Sequence, residues 1–334
     1  MQLDSVRELK QRARQMVLQP MIAASPQALG LAFAATDVSN LRAVQPQRLF
    51  ALGVARGSDG GYRLAIRLQR HSLALRRQVD KLSAMARGEV DVRFVGRIQK
   101  RAAPPWYQQT QRPLLIGCSI AHRRVTAGTL GAFVQRVGEP GTLYALSNNH
   151  VLANENNAKL GDAILQPGPL DGGTASGRVG KLAAMVRLKK TRPNLLDCAL
   201  AELDTSDGID PQRLRSIGRM AGVSADPVDE GQRVQKLGRT TGHTRGRITA
   251  FELDDVVVAY DIGNLSFDQQ IEIEGEGDSP FSDGGDSGSL IVDMQRRAVA
   301  LLFAGTEQGG NNGRGLTYAN PIQPVLDALH VQLP

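Results

Sequence analysis

Gly284-Gly285-Asp286-Ser287-Gly288-Ser289 runs directly into the apolar stretch Leu290-Ile291-Val292. A serine between glycines, with an aspartate before it and a strand-like run after it, suits a nucleophile presented on a tight turn. Glycine tolerates backbone angles that a Cβ forbids, so two amide N–H groups near the serine can converge on one point. Clusters of Gly, Ser and Asp also make ordinary turns. This stretch alone leaves both readings open.

Two further stretches weigh on the choice. Tyr144-Ala145-Leu146-Ser147-Asn148-Asn149-His150-Val151-Leu152 places His150 at the end of a β-like segment, and Asn194-Leu195-Leu196-Asp197-Cys198-Ala199-Leu200 places Asp197 at the head of another. The order is His150, Asp197, Ser287, with separations of 47 (197 − 150) and 90 (287 − 197) residues. On these residues the chain resembles the chymotrypsin/trypsin-like serine proteases. Ser147-Asn148-Asn149-His150-Val151 resembles the histidine motif of the cytoplasmic and periplasmic branches. Asp197-Cys198-Ala199-Leu200 resembles the aspartate motif, and Gly285-Asp286-Ser287-Gly288 the serine motif. Subtilisins and α/β-hydrolases use the same three residue types in other orders. Ser289 departs from the pattern where a second glycine is commonest, and Val151 stands where secreted enzymes carry a cysteine.

The resemblance implies a role for each residue. Ser287 attacks a peptide carbonyl, His150 takes and returns its proton, and Asp197 fixes the imidazole tautomer. The amides of Gly285 and Ser287 form the oxyanion hole. Phe281 corresponds to the base of the specificity pocket, with Ser282, Asp283, Gly284, Phe303, Ala304 and Gly305 as walls. A phenylalanine base favours a small or apolar substrate residue, and Asp283 keeps a basic preference open. In secreted relatives the residue matching Asp286 pairs with a newly released amino terminus, and no matching activation site precedes the barrels here. Either Asp286 is satisfied internally or the loop awaits a rearrangement. His71, His122, His243 and His330 have no partner of catalytic type in the sequence pattern and read as structural or exposed, and no metal or cofactor is called for.

Composition bounds the remaining classes. The 334 residues allow two domains. No run of eighteen or more apolar residues occurs, so no membrane span is expected. Residues 1–14 alternate charged and apolar side chains without the apolar core of a secretory signal. Two cysteines, Cys118 and Cys198, lack metal-ligand spacing and suit a reducing cytoplasm, although a single bridge between them stays open. Residues 1–112 carry 19 Lys/Arg against 7 Asp/Glu, a net +12, and the remainder carries 21 against 26, a net −5. The basic part suits an acidic partner, contact with the acidic part, or a solvated surface. Its sparse aromatic residues argue against nucleic-acid binding. Homo-oligomerisation stays open.

Residues 1–30 read as helical, with Val6, Leu9, Ala13 and Val17 at helical spacing and prolines at 20 and 26. Residues 48–100 read as a small basic α/β unit. Strands are expected at 49–54, 62–68 and 89–98, and a helix at 73–85. Residues 101–113, proline-bearing and polar, form a linker. From 114 to 334 many short strands separated by glycine turns argue an all-β sandwich or barrel, ending in a helix at 321–329. The resemblance selects two six-stranded barrels with the active site in the cleft between them. The expected fold is therefore mainly β, a trypsin-like double barrel behind a small α/β domain.

Further stretches, Thr126 to Gly131, Ile164 to Gly173 and Lys236 to Gly242, resemble a bacterial intracellular group similar to the plant narrow-leaf proteases. That resemblance spans residues 48–330. It implies a cytoplasmic serine endopeptidase acting on a protein or peptide, regulated by its N-terminal domain, in bacterial defence or signalling. Two other readings stay open: a catalytically idle trypsin-like fold serving as a protein-binding module, and an esterase using the same parts.

Overall fold

The computed structural model describes residues 1–18, 50–57, 60–68, 73–95 and 103–334. The expected helix over 19–30, and His71, lie outside the described residues. The chain divides into two compact units, Met1–Ala102 and Ala103–Pro334.

In the first unit a three-stranded sheet is built from Phe50–Arg56, Tyr62–Leu68 and Val90–Phe94, with Tyr62–Leu68 in the centre. The first pair is antiparallel and the second parallel. A parallel pair needs a crossover, which the helix Leu73–Met85 supplies. The N-terminal helix Leu3–Ala13, continued by a π-type turn Arg14–Leu18, adds Ala13 and Val17 to a core with Leu64, Ile66, Leu82 and Ala86. Arg67 bonds Asp91 across the parallel pair at 2.7 Å.

The second unit is mainly β and contains two sheets that curl into barrel-like halves. The first is eight-stranded. It runs from Val331–Gln332 through Ala132–Arg136, Glu139–Ser147, Ala199–Leu203, Arg178–Met185, Ala163–Leu165 and Ser119–His122 to Gly128–Thr129. The second is a closed barrel ordered Arg233–Gly238, Gly242–Leu253, Gln270–Gly275, Leu316–Pro321, Ala298–Gly305, Leu290–Asp293. Closure leaves no strand edge unpaired. This is the double-barrel fold class expected from the sequence, with six strands closed in the second half and an eight-stranded half-barrel in place of the six expected in the first. The C-terminal helix Ile322–Leu329 buries Ile322, Val325, Leu326 and Leu329, one face at i, i+3, i+4, i+7, in the core of the first half. The strands Arg178–Met185, Gly263–Phe267 and Leu316–Pro321 were not expected. Their glycines, single lysine and terminal proline blur the period-two pattern.

No described helix is long and apolar enough to cross a membrane.

Candidate active site

The strand Glu139–Ser147 carries the chain into the interior and ends at two buried asparagines. Asn148 donates its side-chain amide to Asp197 O at 2.7 Å, and Asn149 donates to Asn156 Oδ1 at 2.9 Å and to Val186 O at 2.7 Å. These bonds fix the single helical turn Asn149–Leu152, which presents His150. Asp197 lies just ahead of the neighbouring strand Ala199–Leu203, fully buried. Its backbone N–H donates to Asn320 Oδ1 at 2.9 Å.

His150 and Asp197 meet as the sequence suggested. Nδ1 of His150 lies 2.5 Å from Asp197 Oδ2, and the His150 amide donates to Oδ1 at 3.2 Å. A carboxylate can only accept, so the Nδ1 position holds the proton and Nε2 of the neutral ring keeps its lone pair. The Tyr260 hydroxyl donates to the same Oδ2 at 2.7 Å. Burial alone would lower the His150 pKa. The charge and hydrogen bond of Asp197, with the charge of Glu155 added, outweigh it, and the net displacement is upward from 6.5.

Ser287 sits on a turn between the two halves. Its carbonyl accepts from Thr129 N at 2.8 Å, and the Gly288 amide donates to Leu302 O at 2.8 Å. Gly285 and Gly288 have φ of +97° and +91°. A Cβ on Gly288 would lie 2.1 Å from Ser147 Oγ and 2.5 Å from Thr129 O, so only glycine fits. The amides of Asp286 and Ser289 are used within the turn, bonded to Asp283 O and Asp286 O. Those of Gly285 and Ser287 bond no described protein acceptor. The Ser287 hydroxyl reaches Phe303 O at 3.5 Å, a weak contact, and makes no hydrogen bond to His150.

Asp286 is satisfied internally, which resolves one of the two alternatives left by the sequence. Its side chain is fully buried. Oδ1 accepts from the amides of Thr240 (2.7 Å) and Thr241 (3.2 Å), and Oδ2 from Thr241 Oγ1 (2.6 Å), Asp283 N (3.1 Å) and Lys236 Nζ (3.1 Å). Lys236 is also fully buried, on the strand Arg233–Gly238. Burial lowers its pKa below the usual 10.5 while the Asp286 charge opposes that shift. Gly238 makes room for the pair, since a Cβ there would lie 2.3 Å from Asp286 Oδ1.

The residues expected to shape a specificity pocket are divided. Phe281 is 1 % exposed, packs with Val234, Ile248 and Ile273 in the core of the closed barrel, and lies under the Lys236 ammonium at 5.8 Å. Its ring thus belongs to the packed interior rather than to an open cleft. Phe303 is likewise buried, with its ring 4.7 Å from that of Phe267. Asp283, Gly284 and Gly305 are exposed, and Ser282 and Ala304 are half-buried. The Ser282 hydroxyl pairs with that of Thr317 at 2.6 Å.

Tyr260, Lys236, Asn320 and Glu155 were not picked out from the sequence. Lys236 lay within the noted Lys-Leu-Gly-Arg-Thr-Thr-Gly stretch, which was the available signal. Of the other histidines, His122 meets a carboxylate the sequence pattern did not pair with it, Asp162 Oδ2 at 3.3 Å, in a structural setting. It is buried at a strand end, and its Nδ1 accepts from Arg124 N at 3.2 Å, so both ring nitrogens are occupied. Cys118 and Cys198 are both buried and free, and burial pushes the Cys118 thiol up to about 12. Among the described residues no cluster of three or more His, Cys, Asp or Glu is arranged to hold a metal.

No family model matches the chain. Protein NARROW LEAF 1 of Oryza sativa subsp. japonica is 28% identical over 210 residues, which is 55% of this chain and 35% of the rice protein. The chain thus spans about a third of that relative's length. Among solved structures, Thermobifida fusca protease A is 18% identical and is matched over 66% of this chain and 97% of its own, with a TM-score of 0.45. A glutamic acid-specific serine protease is 20% identical, matched over 66% of this chain and all (100%) of its own, with a TM-score of 0.46.

Proposed function

We propose that residues 103–334 form a serine endopeptidase in which Ser287 is the nucleophile, His150 the general base and acid, and Asp197 its orienting carboxylate. The observation that carries this reading is the 2.5 Å contact between His150 Nδ1 and a fully buried Asp197, in a chain that also presents Ser287 between two positive-φ glycines. A buried carboxylate bonded to Nδ1 leaves Nε2 free to take the serine proton as the hydroxyl attacks a carbonyl. The resulting oxyanion is stabilised by the unused amides of Gly285 and Ser287, where loss of one donor typically costs about 10²–10³ in rate. The imidazolium then protonates the leaving amine. Water repeats the sequence on the acyl-enzyme.

Asp286, anchored by Lys236, holds the Gly285–Ser287 amides in place, which supports a loop assembled without a newly released amino terminus. The exposed and half-buried residues Ser282, Asp283, Gly284, Ala304 and Gly305 are the pocket candidates. Two buried free thiols support a reducing compartment. A defence or signalling role, and regulation by residues 1–102, rest on the sequence resemblance alone. The second reading, an idle fold used for binding, is favoured by one observation: the Ser287 hydroxyl contacts Phe303 O and not His150.

Reaction with a fluorophosphonate probe, beside a Ser287→Ala control, separates the two. The endopeptidase reading requires labelling that the control loses. A wild-type protein that never labels sustains the idle reading.

A further inference from the structure

A hairpin from the second half of the unit lies against the His150–Asp197 pair. Its strands, Val256–Tyr260 and Gly263–Phe267, pair antiparallel with Tyr260 opposite Gly263. The Tyr260 hydroxyl donates to Asp197 Oδ2, the oxygen that also takes the imidazole. The Tyr260 ring meets the His150 ring edge-on at 5.8 Å, and its other neighbour is Phe267, stacked at 5.9 Å. Phe267 in turn packs on Phe303, one of the residues expected in the cleft wall.

The tip of this hairpin is tied to the segment that follows His150. The Asp261 amide donates to Glu155 Oε1 at 3.1 Å, and the Ile262 amide to Glu155 Oε2 at 2.9 Å. Glu155 lies in a run of three non-glycine residues with left-handed backbone, Asn154 (φ +48°), Glu155 (+52°) and Asn156 (+68°). Such angles disfavour side chains and persist only where surrounding bonds impose them. Here Asn156 supplies those bonds, exchanging hydrogen bonds with Asn149 and with the backbone of Leu188. The histidine turn, Glu155 and the hairpin are thus one connected unit.

We propose that Tyr260 is a positioning residue for the His150–Asp197 pair, held over it by the Glu155 latch. This rests on the reading of that pair as the catalytic base. The hydroxyl shares the Asp197 charge, so the carboxylate fixes the imidazole without over-stabilising its protonated form. The ring covers one side of the imidazole and keeps water from competing for the Asp197 oxygen. Burial pushes the Tyr260 hydroxyl well above its ordinary value of 10.0, so it remains a donor throughout the working range. The charged groups that shift His150 are Asp197 and Glu155.

The test is an NMR titration of His150 in the full chain with labelled histidine, the signal assigned by its loss in His150→Gln. In Tyr260→Phe the carboxylate loses a donor, binds the imidazolium more strongly, and the His150 midpoint moves up. In Glu155→Gln the lost charge alone lowers the midpoint while a loosened latch raises it, so the fall is smaller than the charge would give. An unchanged or lowered midpoint in Tyr260→Phe overturns the proposal. Should that variant not fold, Tyr260 is titrated in the wild type with labelled tyrosine instead, and a phenol that ionises at its ordinary value of about 10 overturns the proposal. Fluorophosphonate labelling of Tyr260→Phe is expected to slow about tenfold, the scale of one hydrogen bond to a charged partner. The titration needs no activity. A wild type that never labels therefore refutes the peptidase reading, while the midpoints still decide the place of Tyr260.

Discussion

Lys236 Nζ lies 3.1 Å from Asp286 Oδ2, and both side chains are fully buried. The pair connects a strand of the closed barrel to the turn that carries Ser287, so the geometry of the Gly285 and Ser287 amides depends on an internal cation. Lys236→Met leaves Asp286 as an uncompensated buried charge. Removing one partner of such a pair costs about 3–5 kcal/mol. The variant is expected to unfold at markedly lower urea concentration and to lose fluorophosphonate reactivity. Lys236→Met combined with Asp286→Asn should recover stability but not reactivity, since the turn loses its anchor. Recovered reactivity in the double variant would count against an anchoring role.

Asp197→Asn tests the tautomer argument. An asparagine amide can donate to Nδ1, which turns the imidazole to the form with its proton on Nε2 and removes the free lone pair. Loss of about 10⁴-fold in turnover, the size attached to a wrong tautomer, is expected at neutral pH. Urea unfolding should change less than turnover, because the Asn320 and Asn148 bonds reach the backbone of residue 197. A variant retaining a tenth of wild-type activity would exclude the assigned role.

The pH profile has a definite sign. The base must be neutral, and the His150 pKa is raised above 6.5 in the folded protein. The acid limb of kcat/KM is therefore expected above pH 6.5. The same shift contributes stability that is fully present below the unfolded pKa and is lost as pH rises through the folded one. Activity and this part of the stability move in opposite directions across that window. Turnover and thermal melts measured on the same samples check both.

Gly288→Ala is expected to cost about 3 kcal/mol or more, as steric insertion at a positive φ generally does. Its Cβ would meet Ser147 Oγ and Thr129 O, and Thr129 also donates its amide to Ser287 O. The seam between the halves would have to part. A melting temperature within a degree or two of wild type would show that the seam yields.

Local chemistry explains what was legible. The turn around Ser287 is marked by glycines at angles that side chains rarely adopt. The strands of the closed barrel show as β-branched or alternating runs, as in Leu290–Asp293 and Gln270–Gly275. His150 and Asp197 stood at the ends of such runs. Phe281 misled because its position in the motif suggested a pocket floor, whereas its apolar ring found more contact in the barrel core. The partner of His122 went unseen, since Asp162 is forty positions away (162 − 122).

The sequence by itself determined a mainly β second unit and the turn that presents Ser287, because each depends on period and backbone permission within a few residues, while the double barrel and the roles of the three ordered groups came from the resemblance. Tertiary structure alone decided what surrounds them. Tyr260 and Asn320 reach Asp197 across 63 and 123 positions, and Lys236 reaches Asp286 across 50. A lysine on a strand reads as solvent-facing, and only closure of the barrel, which removes water around it, turns Lys236 into the buried counter-charge that Asp286 requires.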